Sequence, residues 1–299
     1  MKTPKNILVV ISGKRKVHEA LERALLFAKF TKINIHIFNV IYQPIGDLTD
    51  LISSQHREEM KQQYLADREL YLKEIAAEVE KKSIKCSIEI AWNEEVHEAI
   101  EAAAHKRQPD LVIKRISAKS TNINPFAMPT DRHLLRYCPA PLLLVKDSNW
   151  DTGPICAAVD PMAKDDDHKQ LNNEVLEYAK MFKKISGNPT CVITSYYIPP
   201  VSTAMGVPGM DYELIKSNTQ QSYTEKLQSL AKSHTLLAAD LHVVEGDAEL
   251  AIPKFAKEQK VSLMILGTVG RTGITAAFIG NTAERVLAEL TCEVLTIKP

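Results

Sequence analysis

The sequence predicts an α/β protein made of two tandem, doubly wound parallel-sheet domains, and two observations lead there. Apolar runs that do not alternate recur along the 299 residues, each followed by a segment of helical spacing. Continuous apolarity marks strands covered on both faces, as parallel strands with crossover helices are. The order of elements then repeats. From Leu111 onward the halves align without a gap at a shift of 152 residues, laying Leu111-Val-Ile on Leu263-Met-Ile and Lys146 on Lys298. That register indicates a duplicated domain.

In the first half, strands are expected at 7–11, 33–41, 86–92, 111–116 and 141–145. The first helix should turn Leu21, Ala24, Leu25 and Ala28 inward, and a long charged helix over 53–82 should bury Leu65, Leu72, Ile75 and Val79. Helices over 96–106 and 130–137 complete the half. His36, in an alternating stretch, reads as a strand residue with its bonds satisfied. The polar segment 147–154, with its Gly-Pro pair, reads as a linker, giving domains 1–146 and 155–299. The second half follows with strands at 155–159, 190–194, 241–245, 261–266 and 293–297. Its helices are expected at 170–185, 212–231, 248–259 and 283–290.

Composition narrows the function. Thirty-seven basic residues balance thirty-seven acidic ones, so no net field draws the chain to nucleic acid or a membrane surface. No apolar run reaches spanning length, and the N-terminus leads into a strand rather than a signal peptide. Five cysteines without a Cys-x-x-Cys pair indicate neither a disulfide frame nor a zinc site. The expectation is a cytoplasmic, reduced protein.

The stretch richest in chemistry follows the apolar run 261–266. Glycines stand at Gly267, Gly270, Gly273 and Gly280, with Asn281 and Thr282 as N-cap candidates before a helix. A strand, a glycine-rich loop and a helix N-terminus together suit an anion: backbone N–H groups can approach it, and the helix end adds partial positive charge. The loop is neither a Walker A motif nor a Gly-x-Gly-x-x-Gly turn. Its spacing, with two residues between Gly267 and Gly270 and nine between Gly270 and Gly280, resembles the nucleotide-binding signature of the universal stress protein family. The wording Gly267-Thr-Val-Gly-Arg-Thr-Gly-Ile with Phe278-Ile-Gly-Asn-Thr-Ala-Glu284 is similar to the tandem, E-type members.

The resemblance implies a Rossmann-like strand order 3-2-1-4-5 and a cytoplasmic role in stress and DNA-damage survival by sensing or signalling. It implies ATP, with Mg2+ as an optional companion, as the ligand of the second domain. Gly267, Gly270, Gly280, Asn281 and Thr282 would hold the phosphates, with Arg271 a further phosphate partner. Asp160, ending the first strand of the half, would hold the nucleoside, and Thr194 would offer backbone to the base. The simpler reading of Asp160 is a turn before Pro161. By analogy with family dimers, strands 141–145 and 293–297 should lie near each other in an intramolecular pseudo-dimer, with a homodimer also open.

The first half carries its own control. At the 152-residue shift Gly267 faces Arg115, Gly270 faces Ala118 and Gly280 faces Met128, so this copy reads as degenerate. Asp131 and His133 could be a catalytic pair, but a polar helix start capped by Thr130 or Asp131 is the simpler account. Asp165-Asp-Asp-His168 has the composition of a metal cluster, yet consecutive residues cannot all face one ion, and acids favour a helix start. The apolar loop 198–210 keeps open a carrier of an apolar small molecule. A slow ATPase or phosphotransferase is the other alternative; no dedicated base or metal carboxylate set accompanies the loop, so no catalytic residue and no resident metal are expected.

Overall fold

The computed structural model describes residues 3–44, 53–116, 129–146, 152–198, 211–234, 240–268 and 281–298. The described residues fall into two compact units, one holding 3–116 with 129–146 and the other 152–298.

In the first unit, strand β1 (Asn6–Ile11) is followed by helix α1 (Glu19–Ala28), β2 (Asn34–Ile41), α2 (Ser54–Glu80) and β3 (Lys85–Trp92). Then come α3 (Val96–Arg107), β4 (Leu111–Arg115), α4 (Pro129–Tyr137) and β5 (Leu142–Val145). Its strands lie in the order β3-β2-β1-β4-β5 and pair in parallel. The second unit repeats the plan. It contains β6 (Ile155–Ala158), α5 (Asp166–Ser186), β7 (Thr190–Tyr196), α6 (Tyr212–Ser233) and β8 (Leu241–Glu245). It closes with α7 (Ala248–Glu258), β9 (Leu263–Gly267), α8 (Asn281–Glu289) and β10 (Glu293–Ile297). Its order is β10-β9-β6-β7-β8, again all parallel. Both units therefore have the expected 3-2-1-4-5 arrangement.

The duplication is visible in the element bounds. Moving β4 and α4 along by 152 residues lands on the bounds of β9 and α8 at both ends. The central strands are apolar on both faces, and Leu8, Val9, Ile113, Leu143, Ala157, Val192 and Ile265 are fully buried. In α1 the inner face is Ala20, Leu21, Ala24 and Phe27, joined by a fully buried Arg23, while Leu25 and Ala28 are half-buried. Of the four residues expected to face inward from α2, Leu72 and Val79 are buried while Leu65 and Ile75 are half-buried. The residues 165–168 are a helix start, as expected. Asp165 caps α5 by accepting the His168 backbone N–H at 2.9 Å, so the helix begins four residues before the apolar spacing becomes visible. It ends at Gly187, whose φ of 77° is the left-handed conformation that glycine adopts without strain.

The linker reading needs one correction. Residues 147–151 lie outside the described set, but Gly153 is knitted into the second unit. Its carbonyl accepts from Ser262 Oγ at 2.7 Å and Asn188 Nδ2 at 3.0 Å. Cys86, Cys156 and Cys191 are free thiols. No helix of the described residues is long and apolar enough to cross a membrane.

His36 is a strand residue, as expected, but only one of its ring nitrogens is hydrogen-bonded among the described residues; the other is buried beside a carboxylate. Its Nδ1 lies 2.7 Å from Ser87 Oγ and its Nε2 3.3 Å from Glu89. Burial, with Arg107 nearby, lowers its pKa to about 4. Partial burial pushes Glu89 upward, but hydrogen bonds from Arg107 and Lys106 outweigh this and hold it at about 2. Both groups bind protons more readily in the unfolded chain, so both contributions to stability are lost as pH falls. The first unit is therefore expected to weaken from about pH 6.5 down through pH 4 by way of His36, and further below about pH 4.5 by way of Glu89. Urea midpoints measured against pH should show this, and His36→Gln should flatten the upper part of the slope alone.

Candidate functional site

In doubly wound sheets, ligands occupy the crevice outside the strand carboxyl ends where the strand order reverses. In the second unit that point lies between β6 and β9, which pair with Ala158 opposite Leu266. Asp160 and Gly267 thus stand at neighbouring strand ends.

Asp160 is held from behind by a residue that the sequence did not single out. Asn172, from the buried face of α5, accepts the Asp160 N–H through Oδ1 at 3.0 Å and donates Nδ2–H to the Asp160 carbonyl at 2.6 Å. A side-chain amide that satisfies both backbone groups fixes the peptide as a neighbouring strand would. The Asp160 carboxylate is exposed. Its Oδ1 accepts the Met162 N–H at 2.9 Å, which is the turn before Pro161, and the second oxygen accepts no bond among the described residues. The turn-forming role and a free acceptor facing solvent coexist in one side chain. Asn172 carries no motif of its own: a polar residue in a helix gives no sign, in sequence, of which backbone it will meet.

Gly267 has a packing reason to be glycine. A Cβ there would lie 2.2 Å from Leu171 Cδ2 and 2.4 Å from Leu171 Cγ. Gly267→Ala is therefore expected to cost about 1–3 kcal/mol through overpacking. A double-mutant cycle with Leu171→Ala, measured by chemical denaturation, should reveal coupling between the two positions.

The other residues expected at the site are placed as follows. Thr194 is buried inside β7, which continues two residues further, to Tyr196; its partner across the ladder is Val243. Helix α8 begins at Asn281, so Asn281 and Thr282 lie within its first turn instead of preceding it. Gly270, Arg271 and Gly280 lie outside the described residues, as do Ala118 and Met128 of the first half of the sequence and residues 199–210 of the apolar loop.

The first unit builds the matching crevice differently. Where the second unit has Gly267, Arg115 extends its guanidinium to 3.0 Å from Glu19, in the first turn of α1. Arg15 meets the same carboxylate at 3.0 Å. The Arg15 backbone is pinned to α2, since its N–H donates to Tyr71 Oη at 2.9 Å. His18 Nε2 lies 2.6 Å from the same hydroxyl, and burial lowers the His18 pKa.

Asp131 and His133 do not form a pair. Asp131, fully buried, lies 2.6 Å from Lys114 Nζ, while His133 lies 3.0 Å from Glu101 and meets the His97 ring tilted by 44°, centroids 4.0 Å apart. The capping role expected of Thr130 or Asp131 is also corrected: α4 starts at Pro129, which puts both inside the helix. Among the described residues no cluster of histidines, cysteines and carboxylates could hold a metal ion.

Two parallel α/β units of order 3-2-1-4-5, with the candidate crevice between the first and fourth strands of the second, define a tandem α/β protein of Rossmann-like fold. Residues 3–146 and 155–298 each match the universal stress protein family, and the chain belongs to it. It is similar to Universal stress protein E of Escherichia coli K12, with 30% identity over 296 residues, 98% of this chain and 94% of that one. The Universal stress protein E homolog of Haemophilus influenzae is also 30% identical, over 99% of this chain and 97% of the relative. Among solved structures, a functionally unknown protein from Pseudomonas aeruginosa PAO1 superposes with a TM-score of 0.77 at 27% identity, covering 99% of this chain and 93% of that chain.

Proposed function

We propose that the second unit binds ATP, with Mg2+ optional, and that the chain works in the cytoplasm in stress and DNA-damage survival by sensing or signalling. The glycine spacing between β9 and α8 carries this reading. In it, Gly267, Gly270, Gly280, Asn281 and Thr282 receive the phosphates with Arg271, and Asp160 and Thr194 lie on the nucleoside side. Support comes from the exposed Asp160 carboxylate at the end of β6, whose free oxygen suits a ribose hydroxyl. The helix start at Asn281 adds a positive dipole end to the loop. The first unit, with Arg115 in the place of Gly267, is proposed to lack the site, in a division into domains 1–146 and 155–299. The two are proposed to form an intramolecular pseudo-dimer.

Hydrolysis is not part of the reading. Cleaving a phosphoanhydride needs a positioned nucleophile and stabilisation of charge as bonds break, beyond a loop that binds the ground state. Mass spectrometry of small molecules carried through native purification should find an adenine nucleotide at near one per chain. Turnover of ATP at about one per second or faster, abolished by Asp160→Ala, would overturn the reading, as would copurification of an apolar ligand alone.

A further inference from the structure

The two units can be compared at the outer edge of each sheet. In the second unit, Tyr196 at the end of β7 pairs with Glu245 at the end of β8, and Lys216 of α6 reaches Glu245 at 2.7 Å. That carboxylate raises the Lys216 pKa. In the first unit, Ile41 at the end of β2 pairs with Trp92 at the end of β3, so the indole stands where the second unit has its carboxylate. Lys61, from α2, places its ammonium over that indole, 5.6 Å from the ring centroid. Both copies therefore draw a lysine from the long helix to the same strand end. One holds it with a carboxylate and the other with a π face.

The aromatic version is larger than one lysine needs. Tyr42 lies 6.1 Å from Trp92 at an interplanar angle of 64°, and Tyr64 lies 6.4 Å away at 49°. The two tyrosines are 39% and 43% exposed, which is costly for rings with only a packing role. Lys61 makes no ion pair among the described residues. The carboxylate one turn before it, Glu58, is engaged by Gln62 at 2.7 Å.

We infer that the Tyr42–Tyr64–Trp92 cluster is a binding site for a small alkylated ammonium ion, which takes the position of the Lys61 ammonium over Trp92. A primary ammonium is strongly hydrated and returns to water readily when no carboxylate fixes it. A quaternary ammonium, the fully alkylated case, has no N–H bonds to lose, is weakly hydrated, and gains most from an indole face, which the two tyrosines flank here. Lys61 is thus a built-in competitor, whereas in the second unit the corresponding lysine, Lys216, is held by the Glu245 carboxylate.

Choline chloride is the probe, titrated into the full chain and followed by ligand-observed saturation-transfer NMR at fixed ionic strength. Saturable binding in the millimolar range is expected. Lys61→Gln should tighten it by about threefold, and Tyr42→Ala and Tyr64→Ala should each weaken it by a similar factor. Trp92→Glu, which copies the second unit, should abolish it; should that variant fold poorly by circular dichroism, the other three substitutions still decide. Equal binding of 3,3-dimethylbutan-1-ol, the uncharged carbon isostere, would show an apolar patch and overturn the inference. No saturable binding, or indifference to Lys61→Gln, would overturn it too.

Discussion

Replacing Lys114 with Met is expected to destabilise the first unit by about 3–5 kcal/mol, because it strands a buried carboxylate. Lys114 Nζ sits 2.6 Å from Asp131 Oδ1 and also donates to the Arg115 carbonyl at 2.9 Å. The two side chains are 7% and 0% exposed, so water cannot replace the missing partner. Asp131→Ala should cost a similar amount by leaving the ammonium behind. The duplicated unit shows how the same place is filled without charge: at the shift of 152 residues, Leu266 and Ala283 stand where Lys114 and Asp131 do. Leu266 is 4% exposed, an ordinary core residue. The double substitution Lys114→Leu with Asp131→Ala should therefore recover most of the single-mutant loss, since apolar replacement of a buried pair is often neutral. Urea unfolding followed by far-UV circular dichroism measures all three variants. A double mutant as unstable as either single one would show that the pair does more than neutralise itself.

The elements of this fold were legible because their signals are local. Continuous apolar runs marked the strands, and the gapless repeat correctly implied that β9, α8 and β10 copy β4, α4 and β5. Errors fell where a boundary depends on a cap or a partner. The start of α5 is set by Asp165 binding the His168 N–H, which apolar spacing cannot register. Asp131 looked like a cap or half of a catalytic pair because its partner, Lys114, is seventeen residues away and on another element. At the candidate site, the strand ends were predictable from topology, whereas the Asn172 clamp on Asp160 and the contact of Leu171 with the Gly267 position come from α5. Those contacts exist only once the helix has packed on the sheet.

Nucleotide binding confined to the second unit is the central claim, and the chain supplies its own reference substitution. Gly280 falls at the end of the glycine-spaced loop, one residue before α8, and its counterpart in the first half is Met128. A side chain at Gly280 would occupy space where backbone N–H groups are proposed to meet phosphate. Gly280→Met copies a residue that the duplicated fold already carries, so stability should change little. ATP affinity should fall by about 2 kcal/mol or more, roughly thirtyfold, the loss expected for charge-assisted hydrogen bonds. Met128→Gly should gain nothing, because Arg115 and Ala118 still differ from Gly267 and Gly270. Isothermal titration calorimetry of ATP into the parent chain and these two variants is the most direct measurement. One site per chain is expected, weakened about thirtyfold by Gly280→Met and untouched by Met128→Gly; undiminished binding by Gly280→Met, or a second site created by Met128→Gly, would contradict a site confined to the second unit.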